Sequence, residues 1–253
     1  MTFIAALVFV GGLVLGMLFN AVIIRLPREQ QHVGGWPRCT RCGRALAFWE
    51  VLPVVGWLLQ GGRGRCCGRR LDWLFPLVEL LSGAVLTLFY LRYGFSGTFF
   101  YLVFVTAVLV ITGAIDWLHR SIYTFFVLVP ALLAIIASFF VRGHSFPNAI
   151  IGALVSGFVF VLLFLFARIL FPGKAAPFGL GDVYLGIFIG AAVGFVGLVP
   201  ALFYGILLAG VFSAVLIVLR RAGRPNIPEY ISYGTFLCLG TLGYLLIFGL
   251  GNT

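Results

Sequence analysis

FFYLVFVTAVLVITGAID (Phe99–Asp116) runs seventeen residues without a charge and then stops on an aspartate. At about 1.5 Å per helical residue such a run crosses the ~30 Å hydrocarbon core of a bilayer. A second run, Val183 to Leu198, carries its aspartate at the other end: Asp182 opens it, directly after Gly179-Leu180-Gly181. An ionisable group at the edge of a span is costly and marks a candidate functional site. Two carboxylates that meet can share one proton and activate a water. The pair therefore reads as a candidate aspartyl-protease dyad, provided the fold brings the two together.

The rest of the chain places both at one membrane face. Of its 253 residues, 62% are apolar and 9% charged, which no soluble domain of this size tolerates. Eight runs are long enough to span, at about 3–24, 74–91, 98–116, 122–141, 148–168, 182–199, 201–219 and 231–250, the long stretch after 182 being divided at Pro200. The first run lacks a basic leading segment and a small-residue cleavage site, so it is expected to be a span and not a signal peptide. With the N-terminus outside, fifteen of the seventeen Lys and Arg residues fall on the cytoplasmic side, as the positive-inside rule requires. The C-terminus is then also outside. Span 3 ends at Asp116 and span 6 begins at Asp182, both at the cytoplasmic boundary. The net charge of +10 is accounted for by this topology and by contact with anionic lipid headgroups; no nucleic-acid partner is expected.

The expected fold is all-α: about eight transmembrane helices and one cytoplasmic, cysteine-containing loop. Residues 1–24 form the first helix, 25–73 the basic loop, and 74–253 a seven-helix membrane core. The loop holds nine arginines against Glu29, Glu50 and Asp72, and four of the five cysteines. Glycines in the helices (Gly152, Gly157, Gly186, Gly190, Gly205, Gly210) point to close packing, which small residues permit in lipid. No internal repeat stands out.

Each candidate residue has a plainer role beside its chemical one. Gly179 and Gly181 remove side-chain bulk before Asp182, so a substrate strand could lie against the backbone there; equally, Asp182 could simply cap a helix N-terminus. Asp116 has His119 and Arg120 three and four residues on, and an i,i+4 pair with Arg120 is worth a few tenths of a kcal/mol. Glu79 is either functional or a helix-end carboxylate paired to a loop arginine. Cys238, inside the last run, reads as packing.

Several ordered motifs together resemble the bacterial type IV prepilin peptidases, GxGD-type membrane aspartyl proteases. GMLFNAVIIRLP (Gly16–Pro27), Cys39-Thr40-Arg41-Cys42, WEVLPVVGWL (Trp49–Leu58), PLVELLSG (Pro76–Gly83), Ala114-Ile115-Asp116 and Gly179-Leu180-Gly181-Asp182 carry the resemblance, in order and nearly end to end. The resemblance implies prepilin and pseudopilin substrates, with cleavage between a glycine and usually a phenylalanine at the cytoplasmic face. It implies Asp116 and Asp182 as the catalytic pair, Gly179 and Gly181 at the substrate, and methylation of the new N-terminus using S-adenosylmethionine. The implied cleavage side agrees with the orientation read from charge.

Three departures accompany it. The family's loop usually carries a second CxxC, a zinc tetrad with the first. Here Cys67 takes the last position, Gly64 stands where its partner would be, and the extra cysteine is the adjacent Cys66. Vicinal cysteines do not offer the usual chelating spacing. That leaves a distorted zinc site of Cys39, Cys42, Cys66 and Cys67, a three-cysteine site with another ligand such as His32, or no metal. A cytosolic disulfide is disfavoured by the reducing compartment. Ile122-Tyr123-Thr124 replaces an I-P-D motif, and Tyr184 replaces a frequent lysine.

The expected chemistry has one carboxylate as base on a water while the other, protonated, donates to the scissile carbonyl. Asp182 at a helix N-terminus suits the charged role and Asp116 at a helix C-terminus the neutral one, with Arg120 opposing the second assignment. The alternatives are a GxGD protease of another branch, a relative lacking methyl transfer, and a small transporter with an aspartate relay. Short loops and acids at one face argue against the transporter.

Overall fold

The computed structural model describes residues 2–28, 36–39, 42–141, 143–170, 179–222 and 231–250. Their regular structure is helical: α1 Thr2–Arg25, α2 Phe48–Val51, α3 Val55–Leu59, α4 Leu74–Tyr93, α5 Gly97–His119, α6 Thr124–Ala137, α7 Phe146–Leu170, α8 Leu180–Arg221 and α9 Tyr233–Ile247. Among the described residues β-pairing is confined to two isolated bridges. Five helices (α1, α4, α5, α7, α8) are long and apolar enough to cross a membrane, and α6 and α9 are shorter apolar helices. Their outward faces expose large apolar side chains such as Phe125, Phe158, Ile169 and Val199, the pattern of a multi-pass membrane protein.

Residues 1–95 and 96–253 form two compact units. In the first, α1 lies antiparallel along α4. A Cβ at Gly12 would sit 2.7 Å from the Gly83 Cα, and one at Gly16 2.6 Å from the Glu79 Cα. One turn further, the Asn20 amide donates to the Phe75 carbonyl at 3.0 Å. Each four-residue step forward on α1 meets a four-residue step back on α4, so a stripe of small residues lets the backbones touch.

In the second unit α7 and α8 repeat this arrangement. Gly152 and Gly190 abut so closely that a Cβ on either would strike the other's backbone, and Ser156 Oγ donates to Gly186 O at 2.7 Å. Gly205 meets Leu237 and Gly240 of α9, whereas a Cβ at Gly210 would touch nothing; the packing role expected of Gly210 is not one it has. On α5, Gly113 packs against Cys238, which is buried as expected.

A continuous α8 of 42 residues would be about 63 Å long, twice the hydrocarbon thickness. It breaks, but at Gly194 and not at Pro200. Gly194 takes φ 73°, ψ 173°, a conformation essentially closed to other residues, whereas Pro200 removes only one hydrogen bond and is accommodated inside the helix. Four of the backbone groups beside the break find side-chain partners. His144 Nε2 donates to Ala191 O at 2.9 Å and Tyr101 Oη to Ala192 O at 2.9 Å. Asn148 Oδ1 accepts from the N–H groups of Phe195 (2.9 Å) and Val196 (3.4 Å). Burial holds the His144 imidazole below the ordinary histidine range, partly offset by its bond to Ala191, so it stays neutral with its proton on Nε2.

Two helices are shorter than their apolar runs. α6 covers 14 residues and gives way at Ser138–Phe140 to a turn, where Ser138 Oγ bonds back to Ile135 O at 2.6 Å. α9 covers 15 residues. Hydrophobicity marks how much chain is apolar, whereas the turn chemistry decides where the helix stops.

Candidate active site and cysteine cluster

Contacts in the second unit bring the C-terminus of α5 and the N-termini of α8 and α9 together: Asp116 bonds to Thr235, and Ile122 lies against both Gly181 and Gly234. Asp116 lies in the last turn of α5 and is 6% exposed. Its Oδ2 accepts from the Thr235 backbone N–H at 2.8 Å and lies 3.1 Å from Thr235 Oγ1. Thr235 is the third residue of α9, so that N–H is one of the donors a helix leaves unpaired at its start. The carboxylate of α5 thus serves as a cap for α9. Thr235 Oγ1 also lies 2.9 Å from Gly113 O. One hydroxyl proton cannot serve both acceptors fully, so the contact with Asp116 suits either state of the carboxyl. An ionised Asp116 accepts the proton; a protonated Asp116 donates to Oγ1 while Thr235 donates to Gly113.

Asp182 is the third residue of α8, and its Oδ2 accepts from the Gly179 N–H at 3.0 Å. The cap weighed from the sequence is present, and it leaves the carboxylate within electrostatic reach of Asp116. Both aspartates lie within electrostatic reach of Cys238, and Asp182 within reach of Tyr233 at the start of α9. Helix polarity therefore does not separate the two: α9 offers Asp116 the donor field that α8 offers Asp182. Arg120 caps α5 in a left-handed conformation, its N–H on Asp116 O at 2.8 Å, and adds its positive charge beside Asp116.

Gly179 is extended, and among the described residues a Cβ there would meet only Asp182 Oδ2 and Gly181 N, each at an ordinary 3.8 Å. Gly181 is already helical, and a Cβ on it would come within 2.8 Å of Ile122 Cβ. A Cβ at Gly234 would meet both Ile122 Cδ1 and Asp116 Oδ2 at 3.0 Å. Ile122 is thus wedged between the starts of α8 and α9, and both glycines make room at the carboxylates. Thr235 and Gly234 were absent from the sequence reading. A Ser-x-Gly-Thr start to an apolar run was visible, but nothing local says that its free amides face an aspartate 119 residues away.

In the first unit the four loop cysteines converge. The Sγ atoms of Cys39, Cys42, Cys66 and Cys67 all lie within 4.8 Å of one another, with Cys39 and Cys67 at 3.7 Å. Tetrahedral zinc with Zn–S of about 2.3 Å needs sulfurs about 3.8 Å apart, so the donor set fits zinc. Two eight-residue knuckles hold it, closed by the bridges Arg38–Ala45 and Arg63–Arg70, with glycines of positive φ, Gly43 and Gly68, at equivalent places. Within this frame Gly64 corresponds to Cys39 and Cys67 to Cys42. A Cβ on Gly64 would lie 4.0 Å from Cys67 Sγ. Cys66 supplies the fourth sulfur from two residues along the same turn, so the vicinal spacing does not prevent a four-sulfur cluster. Its thiol is pushed up to about 12, first by its hydrogen bond with Cys42 and then with Cys39. His32 lies outside the described residues.

Glu79 is buried, and its hydrogen bonds run to an amide side chain and a backbone N–H. Its Oε1 accepts from Asn20 Nδ2 at 3.0 Å and its Oε2 from the Val54 N–H at 2.6 Å. Among the described loop residues the ion pair is Arg44–Glu50, in which the half-exposed Arg44 Nη2 donates to both oxygens of the buried Glu50 carboxylate at 2.8 and 2.9 Å. Tyr184 is half-buried one turn into α8.

Apolar helices that bring two carboxylates within electrostatic reach at one end define a polytopic membrane protein with a candidate two-aspartate site. The description Bacterial Peptidase A24 N-terminal domain matches residues 10–93, and Type IV leader peptidase family matches residues 102–214. The chain belongs to the type IV leader peptidase family. A Prepilin leader peptidase/N-methyltransferase of Myxococcus xanthus is 33% identical over 88% of this chain and 66% of its own length. Proteins of the same description from Bacillus subtilis and Dickeya chrysanthemi are 26% and 29% identical, over 88% and 93% of this chain and 88% and 90% of theirs. No solved structure matches the chain significantly.

Proposed function

We propose that this protein removes the basic leader of type IV prepilins and pseudopilins at the cytoplasmic face of the bacterial inner membrane, with Asp116 and Asp182 as its catalytic dyad. The observation that carries the reading is the convergence of the two aspartates at one end of the second unit, beneath the start of α9. One carboxylate takes a proton from water as the oxygen adds to the scissile carbonyl. The other gives its proton to the carbonyl oxygen; as the adduct collapses, the first carboxyl passes its proton to the departing amine and the second takes back a hydroxyl proton, which restores both. Thr235 holds Asp116 through both states by reversing the sense of one hydrogen bond. Gly179 adds no side chain to the approach to Asp182 for an extended segment around a Gly–Phe bond, and Gly181 admits Ile122 beside it.

In this reading eight spans cross the membrane, α8 counting as two across Gly194, with both termini outside. Residues 25–73 form the cytoplasmic loop and 74–253 the membrane core. The loop is associated with a second activity, methylation of the new N-terminal amine with S-adenosylmethionine as donor. Cys39, Cys42, Cys66 and Cys67 would hold a zinc ion whose part is structural, tying the two knuckles together. The intact cluster, despite the lost CxxC, supports a retained methyl transfer. Incubation of membranes with a prepilin and S-adenosylmethionine, followed by mass spectrometry of the product, tests both. Leader loss with one added methyl is expected; leader loss without it removes the second activity, and no cleavage removes the first.

A further inference from the structure

Residues 46–62 (LAFWEVLPVVGWLLQGG) contain one charge, Glu50, and that carboxylate is buried and paired to Arg44. The segment nevertheless presents a run of bare apolar surface: Phe48 is 67% exposed, Trp49 53%, Val55 47%, Leu58 62% and Leu59 57%. A loop in water does not hold five large apolar side chains outward within twelve residues without a partner. α2 and α3 cannot bury them on each other, because they already touch through Gly56, where a Cβ would lie 2.6 Å from Glu50 O.

The hydrogen bonds of this segment fix its depth. Val54 N–H donates to Glu79 Oε2, and Glu79 Oε1 accepts from Asn20. Glu79 is the sixth residue of α4, and Asn20 lies five residues before the end of α1, so both sit about one to one and a half turns inside the helix ends, on the order of 5–8 Å. Val54 is held there at φ 59°, ψ −50°, a strained conformation for a β-branched residue. The turn between α2 and α3 is thus pinned to the side of the α1–α4 pair, below the level at which those helices end. Exposed arginines flank the apolar stretch: Arg38 and Arg44 before it, Arg63, Arg65, Arg69 and Arg70 after it. Apolar side chains at that depth, bordered by cationic groups, match the boundary between acyl chains and anionic headgroups.

We propose that Phe48–Leu59 is a re-entrant arm seated in the headgroup–acyl boundary of an anionic bilayer, anchored by Glu79. The cysteine knuckles then stand on the membrane surface and not free in the cytosol. The inference rests on α1 and α4 crossing a bilayer.

The full-length protein is reconstituted in vesicles of phosphatidylcholine and phosphatidylglycerol with a photoreactive benzophenone side chain (p-benzoylphenylalanine) replacing Leu58, and separately Trp49; both positions are exposed enough to accept it. Replacement of Leu88 on the outward face of α4 serves as the reference. Irradiation and mass spectrometry should give phospholipid adducts at Leu58 and Trp49 at a yield within about threefold of Leu88. Lipid adducts at Leu88 alone would overturn the arm while leaving the spans intact; adducts at none of the three would overturn the membrane reading itself. If a prepilin added to the vesicles displaces the lipid adducts at Leu58 with protein adducts, the face is a substrate-docking surface and the proposal fails.

Discussion

Replacing Thr235 by Val removes one hydroxyl and little else, since the two side chains have nearly the same shape. The loss falls on the 3.1 Å contact with Asp116 Oδ2 and the 2.9 Å contact with Gly113 O, while the Thr235 N–H still holds Oδ2 at 2.8 Å. A hydrogen bond to a charged group contributes about 1.5–3 kcal/mol, which corresponds to roughly ten- to hundredfold in rate if it is felt in the transition state. The retained N–H places the expectation near the lower figure, about tenfold in kcat/KM, with KM for the prepilin little changed. Because the hydroxyl serves both protonation states of Asp116, the pH profile of kcat should shift as well. The assay is initial-rate leader cleavage in vesicles across a pH series, with Thr235→Ser beside it. Serine should restore most of the rate. A valine variant with the original kcat/KM and pH profile would refute the role given to the hydroxyl, and a serine variant as slow as valine would assign the effect to the methyl group's packing.

Other outcomes follow from the same contacts. Cys66→Ser should lower bound zinc measured by elemental analysis of the purified protein, and adding Gly64→Cys should restore it, since that position faces Cys67 across the knuckle; equal zinc in all three proteins would refute the knuckle equivalence. Gly194→Ala should cost about 1–3 kcal/mol from backbone strain alone, read as a lower unfolding temperature, because its Cβ would also strike Asn148. His144 is neutral in the folded protein with its pKa lowered by burial. The unfolded chain therefore takes up the proton first, and stability should fall as pH drops below about 6.5; His144→Gln should flatten that slope in thermal melts.

The membrane fold was legible because length and hydrophobicity report burial in lipid directly. Phe99–Ile115 became the middle of α5, and the aspartate that closes it stands in that helix's last turn. The break in α8 was misplaced because Pro200 is the familiar breaker, while Gly194 looks like any of 33 glycines; only the side chains of His144, Tyr101 and Asn148, distant in sequence, make its conformation affordable. Asp116 and Asp182 could be picked out because a carboxylate at the end of an apolar run is conspicuous. Thr235 could not, since its relevance is a hydrogen bond across 119 residues. The cysteine spacing left a distorted four-cysteine site as one of three alternatives; the knuckle turn brings Cys66 Sγ in beside the other three sulfurs, which the spacing alone does not say. Glu79 drew attention as a charge in a span, but its partners are a backbone amide and Asn20, which no charge-pairing argument supplies.

The central claim is that Asp116 and Asp182 act together on one water. Asp116→Asn and Asp182→Asn, each in membranes containing a prepilin, provide its most direct test when the product is resolved by mass spectrometry. Each amide keeps the size and much of the hydrogen bonding of the acid while losing its capacity to exchange a proton, so leader removal should fall by at least about a thousandfold in both, within the range general acid–base groups supply in combination. Near-normal cleavage by either variant would contradict the account.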